Sequence, residues 1–94
     1  MKSYIYRGAL YKIPNEMSEM IDNYVNKFVR PDSFLQAVIC NDLVGAISHA
    51  DDDNLEILTA YMLFFYNDAP GDCWGSKAKM EAWLEKESYL KLEV

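Results

Sequence analysis

The sequence predicts a mainly α fold, a compact bundle of about four helices formed by one domain of 94 residues. Apolar residues recur at three- and four-residue steps over long stretches, as in helices that bury one face. Proline, glycine and capping residues stand where these stretches begin or end. The chain is 51% hydrophobic and 14% aromatic, which suffices for a core. We expect an N-terminal arm (1–13), a helical core (14–85) and a tail (86–94).

The two chain ends have strand-like patterns. Tyr4, Ile5 and Tyr6 in the arm are residues that favour strands. Residues 89–94 alternate apolar with charged side chains, which is typical of a half-buried strand. A short β-ribbon made from the two termini is one interpretation, and a helix that frays into the C-terminus is the other.

Pro14 and Pro31 delimit the first predicted helix, which runs to about Val29. Proline suits the first helical position, because its missing N–H is not needed there. One apolar stripe along this helix comprises Met17, Met20, Ile21, Tyr24 and Phe28. This stripe is expected to face the core.

A second helix is predicted after Asp32, which is placed to cap it. Its apolar stripe comprises Leu35, Val38, Ile39, Leu43, Ala46 and Ile47. Asp42 falls inside that stripe, so its charge needs a partner, either a ligand or a neighbouring helix end. Gly45 lies in mid-helix, where glycine costs about 1 kcal/mol relative to alanine, and is expected to allow close approach of another helix.

The third predicted helix runs from Leu55 to about Asn67, and the acidic run 51–54 supplies its cap. A calcium loop is excluded, since Glu56 and Met62 replace the glycine and the glutamate that such a loop requires. The helix is apolar on two faces. One face comprises Leu55, Leu58, Met62, Phe65 and Tyr66, and the other comprises Ile57, Tyr61 and Phe64. We therefore expect it to be the central helix or part of an interface, and we expect a homodimer or higher homo-oligomer.

Charge and hydropathy limit the functional classes. The net charge of −6 opposes direct DNA binding, which depends on clustered Lys and Arg, although an acidic protein can bind a basic protein. The longest apolar run, 61–66, is far shorter than the ~20 residues that span a bilayer, and no signal segment opens the chain. These features predict a soluble cytoplasmic protein without a membrane span.

No catalytic or metal-binding signature is present. A nucleophilic pair would need Cys40 or Cys73 to meet His49, and Cys40 is not a helical neighbour of that histidine. Free cysteine usually behaves as a small buried hydrophobe. The sequence therefore predicts a binding protein with no cofactor and no enzymatic activity.

The turn before the fourth predicted helix is the best candidate for a binding site. Trp74 offers a stacking face, Gly75 lets a ligand approach the backbone, and Ser76 begins a helix whose N–H groups favour an anion. The candidate ligand-binding residues are Trp74, Gly75, Ser76, Lys77, Asn41, Asp42, Asn54, Tyr66 and Asn67. In the alternative interpretation, Trp74 only fills the core and Ser76 only caps the helix. In both interpretations the fourth helix offers Met80, Trp83 and Leu84 to the core.

Six pieces of the chain form a recognisable pattern: residues 13–14, 33–43, 50–54, 66–70 and 73–76, and Trp83. The most distinctive piece is Cys-Trp-Gly-Ser at 73–76. The pattern resembles a widespread family of small phage- and prophage-encoded proteins of unknown function. Members often carry a glycine where Lys27 and Phe28 stand and a proline where Lys77 stands, and both differences concern turns or caps. The resemblance implies an accessory phage protein in the host cell cytoplasm, without supplying an activity.

Two functions of different classes are open to such a protein. It could counteract a host defence system by sequestering a small anionic, nucleotide-like ligand at the Trp74 turn. Alternatively, its acidic surface could occlude a host defence protein by direct contact. A minor virion or assembly component is a third possibility. The polar side chains near the turn favour the ligand.

Overall fold

The computed structural model describes the chain at residues 3–6 and 9–92, with side chains from 10 to 87. Within these residues, strands β1 (Ser3–Tyr6) and β2 (Ala9–Lys12) precede helices α1 (Asn15–Lys27), α2 (Ser33–Ile39), α3 (Leu43–His49), α4 (Asp52–Glu56), α5 (Leu58–Asn67) and α6 (Lys77–Leu92). A 3-10 helix, Gly71–Cys73, comes just before α6. The prediction of a mainly α bundle is confirmed. No helix in the described ranges is long and apolar enough to cross a bilayer.

The β-ribbon lies within the N-terminal arm. β1 and β2 are antiparallel, with Ser3 opposite Lys12 and Tyr6 opposite Ala9. The prediction of a ribbon from the two termini is wrong, because α6 stays helical to Leu92. Strands that are adjacent in sequence pair at little cost in loop closure, which favours the local hairpin. The last two residues of the predicted C-terminal strand lie outside the described part.

The second predicted helix is divided into α2 and α3 by a turn. Asn41 has a left-handed conformation with φ 61°, which an α-helix does not accommodate. The Asp42 carboxylate then caps α3 by accepting a hydrogen bond from the Gly45 N–H at 3.0 Å. Asp42 is therefore a cap at an exposed turn, and not a charge inside a buried stripe. A side chain on Gly45 would collide with that carboxylate and would lie 3.3 Å from Ala37 Cβ of α2, so the expected close helix approach is present.

This turn changes which side of α3 faces the core. Ala46 is buried, but Leu43 and Ile47 are exposed, so their assignment to the core was wrong. Leu43 and Ile47 continue the α2 stripe only if the helix is uninterrupted. The break at Asn41 resets the rotation of the chain, and both side chains point outward with Val44.

The third predicted helix is also divided, at Ile57, into α4 and α5. The Asp51 carboxylate caps α4 by accepting from the Asn54 N–H at 2.7 Å, which confirms the capping prediction for the acidic run. Leu55 and Tyr66 are exposed, contrary to the apolar face assigned to them. Because the break at Ile57 separates Leu55 from α5, that face is not continuous.

One apolar cluster forms the core, and it takes side chains from α1, α2, α5 and α6. Tyr24, Leu35, Ile39, Tyr61 and Phe65 are fully buried in it. The Tyr61 ring packs edge-on against Phe34, with 5.1 Å between the ring centroids. Tyr61, Phe64 and Phe65 of α5 are thus buried in this core. The side of α5 that carries Leu58, Met62 and Tyr66 is only partly covered.

The end of α1 bears on one difference from the phage family. Helix α1 stops at Lys27, and Phe28 follows with φ 59°, a region that favours glycine. The Phe28 ring packs edge-on against the buried Trp83, with 5.5 Å between centroids. This aromatic contact accounts for a bulky residue at a position where glycine would be less strained.

Candidate functional site

The Cys73–Ser76 turn is held by the core at two points. The Tyr24 hydroxyl donates to the Cys73 carbonyl at 2.6 Å, and the Gly75 N–H donates to the Ile39 carbonyl at 2.7 Å. Gly75 has φ 117°, a conformation that side-chain-bearing residues rarely adopt. The Ser76 hydroxyl accepts from the Lys79 N–H at 3.1 Å, which confirms that Ser76 caps α6. The turn is therefore held by hydrogen bonds to the core, and it leads into α6, the longest of the described helices.

An apolar hollow of about 470 Å³ opens beside Trp74. It is lined by Leu58, Thr59, Met62, Leu63, Tyr66 and Trp74. The indole of Trp74 is half-buried, and its ring centroid lies 6.3 Å from that of Phe65. Two of the predicted site residues, Tyr66 and Trp74, thus share one surface that could accommodate an aromatic ring.

A second hollow, of about 420 Å³, lies between α2, α3 and α6. Its lining residues are Ser33, Gln36, Ala37, Cys40, Asp42, His49, Lys77 and Met80. Asp42 and Lys77, both predicted site residues, meet here. Sequence spacing did not indicate that Ser33, Gln36 and His49 would join them, because the break at Asn41 brings α3 back along α2.

The two cysteines are poor nucleophiles. Cys40 shares the second hollow with His49, but burial raises the pKa of its thiol, whose Sγ lies 3.7 Å from Met80 Sδ. Cys73 is fully buried, as expected for a free cysteine, and burial raises its pKa to about 11. A protonated thiol does not attack an electrophile or bind a metal, so neither residue is prepared for such chemistry near neutral pH.

The remaining predicted residues do not join either hollow. Asn54 is buried, and its side-chain oxygen accepts the Tyr61 hydroxyl at 2.5 Å, which makes it part of the core. Asn41 is exposed at the turn after α2, and Asn67 is exposed at the end of α5. The two hollows have no lining residue in common, although Trp74 and Lys77 are three positions apart and both belong to the turn region.

Lys77 and Lys79 place two positive charges in the first turn of α6, beside the Ser76 cap. The first turn of α6 contains no acidic residue. The Lys79 Nζ lies 3.8 Å from the point that a Cβ atom on Gly75 would occupy, so its ammonium group lies against the turn. Cations at a helix N-terminus oppose the helix dipole, each by roughly 0.3–1 kcal/mol. For Lys77 part of this opposition is offset by Asp42, which lines the same hollow, and by Glu81, whose pKa is lowered by Arg30 and also by Lys77. A bound anion would offset more of it.

In the described ranges, no group of three or more His, Cys, Asp or Glu side chains could hold a metal ion. Comparison with known proteins finds no matching family, no matching curated protein and no matching solved structure. The fold and the turn define a small helical protein with a candidate binding site, and the phage family stays a prediction.

Proposed function

We propose that this is a non-enzymatic phage accessory protein that sequesters a small anionic, nucleotide-like ligand at the turn leading into α6. In this proposal it counteracts a defence system in the host cell cytoplasm. The observation that carries the proposal is the pair of lysines at the N-terminus of a 16-residue helix. The α6 N-terminus also offers backbone N–H groups, which bind anions.

Two other basic side chains near the core, Arg30 and Lys86, already have partners. Arg30 is paired with Glu81 through two hydrogen bonds of 3.0 and 2.8 Å, and Lys86 lies over the Trp83 ring at 3.9 Å. Lys77 and Lys79 are both exposed and lie in the first turn of α6, close to a positive helix end. On a chain with net charge −6, these two lysines supply local positive charge that would attract an anion.

Trp74 and Tyr66 supply the other half of the recognition. A planar ring placed in the apolar hollow would lie against the Trp74 indole, and aromatic stacking favours such an arrangement. An anionic group attached to that ring would then reach the start of α6. A ligand with both parts would gain from each, which is why a nucleotide suits the turn better than phosphate or a nucleoside alone.

Titration with adenosine monophosphate tests this proposal. We expect tryptophan emission to change and to saturate, with adenosine and inorganic phosphate each binding at least about tenfold more weakly, since each lacks one of the two contacts. Trp74→Phe should remove most of the emission change while the protein stays folded. If neither emission nor the melting temperature responds to any of the three compounds, the proposed site is wrong.

A second function is favoured by the exposed face of α3. Leu43, Val44 and Ile47 are 63, 75 and 47% exposed, and their spacing places them on one side of the helix. Clustered exposed apolar residues mark protein contact sites. This face supports the alternative of an inhibitor that occludes a host protein, and it is where the expected homo-oligomer would form.

Sedimentation equilibrium tests whether this face of α3 binds a second copy of the chain or a different protein. If a second copy covers α3, wild-type protein should sediment as a dimer or higher oligomer, and Val44→Lys should sediment as a monomer because a charge cannot be buried there unpaired. Thr59→Lys, on α5, is the control for an added charge. A wild-type monomer at high micromolar concentration would rule out self-association and leave the face for a different protein.

A further inference from the structure

We infer that Tyr24 is a positioning residue that holds the ligand-binding turn in place from α1. This inference rests on the proposed function and adds a residue far from the turn in sequence. Tyr24 is fully buried, so it cannot touch a ligand bound at the turn. Its effect on binding must act through the residues that it contacts.

Tyr24 makes two hydrogen bonds to the site region, one through its hydroxyl and one through its backbone carbonyl. Its hydroxyl donates to the Cys73 carbonyl at 2.6 Å, directly before Trp74. Its backbone carbonyl accepts the Trp83 Nε1–H at 3.0 Å, within α6. One residue of α1 therefore connects both to the turn and to the helix whose N-terminus receives the anion.

The Tyr24 hydroxyl makes one of the two hydrogen bonds that join the turn to the core. The other runs from the Gly75 N–H to the Ile39 carbonyl, on the opposite side of Trp74 along the chain. Burial raises the pKa of the Tyr24 hydroxyl well above its usual range, so the group stays a donor at all physiological pH values. Without it, the Cys73 carbonyl would lose its partner, and the chain before Trp74 would be held by the buried Cys73 side chain and the Cys73 N–H bond to Pro70.

Tyr61 provides a matched control. It is also fully buried, burial also raises the pKa of its hydroxyl, and that hydroxyl also makes one hydrogen bond, to Asn54 at 2.5 Å. The Asn54 contact is between α4 and α5 and does not involve the turn. Tyr24→Phe and Tyr61→Phe therefore each remove one oxygen atom and one buried hydrogen bond, but only the first releases the turn.

The experiment compares the full-length wild type with the two variants in two measurements. Amide hydrogen exchange, without any ligand, measures how strongly the turn is protected from exchange with solvent. Calorimetric titration with adenosine monophosphate measures the affinity of the site for the nucleotide. In Tyr24→Phe we expect exchange to accelerate by about tenfold at Cys73 and Gly75, whose N–H groups donate to the Pro70 and Ile39 carbonyls. Nucleotide affinity should fall by about five- to tenfold, as for the loss of one hydrogen bond. In Tyr61→Phe both values at the turn should stay close to wild type.

The outcomes separate this inference from the proposed function. If the two variants change exchange and affinity equally, Tyr24 has only a general structural role and the inference is wrong. If wild-type protein does not bind the nucleotide, the proposed function fails, and exchange alone decides the positioning role. Acceleration confined to Tyr24→Phe would then still support it, and unchanged exchange would overturn it.

Discussion

Replacing Phe65 by alanine should destabilise the protein by about 3–5 kcal/mol, as expected for removing a large buried aromatic side chain. Phe65 is 0% exposed and packs against Phe64 and Trp74, with centroids 5.1 and 6.3 Å away. The cost combines the lost burial with a cavity that rigid neighbours cannot fill. Urea denaturation followed by circular dichroism measures the free energy of unfolding.

The next residue in the chain supplies the control. Tyr66 is 77% exposed, so Tyr66→Ala should change the free energy of unfolding by no more than about 0.5 kcal/mol. Tyr66 lines the apolar hollow beside Trp74, so nucleotide binding should weaken in that variant instead. A loss below 1 kcal/mol for Phe65→Ala would contradict a core centred on α5.

Replacing both lysines at the start of α6 by glutamate should abolish ligand binding while the protein stays folded. In Lys77→Glu/Lys79→Glu, we expect affinity for adenosine monophosphate to fall by about 100-fold or more, because two favourable charge contacts become repulsive. Stability should change by less than about 1 kcal/mol, because the gain at the helix N-terminus is opposed by repulsion between the new carboxylate at position 77 and both Glu81 and Asp42. Titration calorimetry and urea denaturation give the two values.

A large loss of binding at nearly unchanged stability distinguishes a functional charge pair from a structural one. The control, Lys12→Glu/Lys27→Glu, makes the same change in net charge at exposed positions away from the turn. It should bind the nucleotide almost as well as wild type. Equal weakening in the two double variants would show that overall charge, and not the α6 start, governs binding.

The sequence predicts the helices and their caps well, because these depend on local chemistry. Asp32, Asp51 and Ser76 each cap the helix that follows them, by accepting from the N–H three positions ahead. The break at Asn41 was not predicted, because the apolar spacing continues past it. Two signs of the break were present: Asn enters the left-handed region more readily than most residues, and the Asp42 carboxylate stood within a core stripe.

The site could be predicted only in part. The Trp74–Lys77 turn is local, and its glycine and cap are where the sequence indicates. The grouping of distant residues depends on tertiary packing: Tyr66 meets Trp74, while Asp42 meets Lys77 in a separate hollow. Tyr24 was expected as a stripe residue alone, since nothing in the periodicity shows that its hydroxyl reaches across to Cys73.

Native mass spectrometry of protein purified from infected cells tests the central claim most directly. Wild-type protein and the Lys12→Glu/Lys27→Glu control should each retain a small anionic molecule, and Lys77→Glu/Lys79→Glu should lack it. Fragmentation of the retained species would identify the ligand. Wild-type protein that carries no small molecule, or the same molecule retained equally by all three proteins, would contradict sequestration at the start of α6.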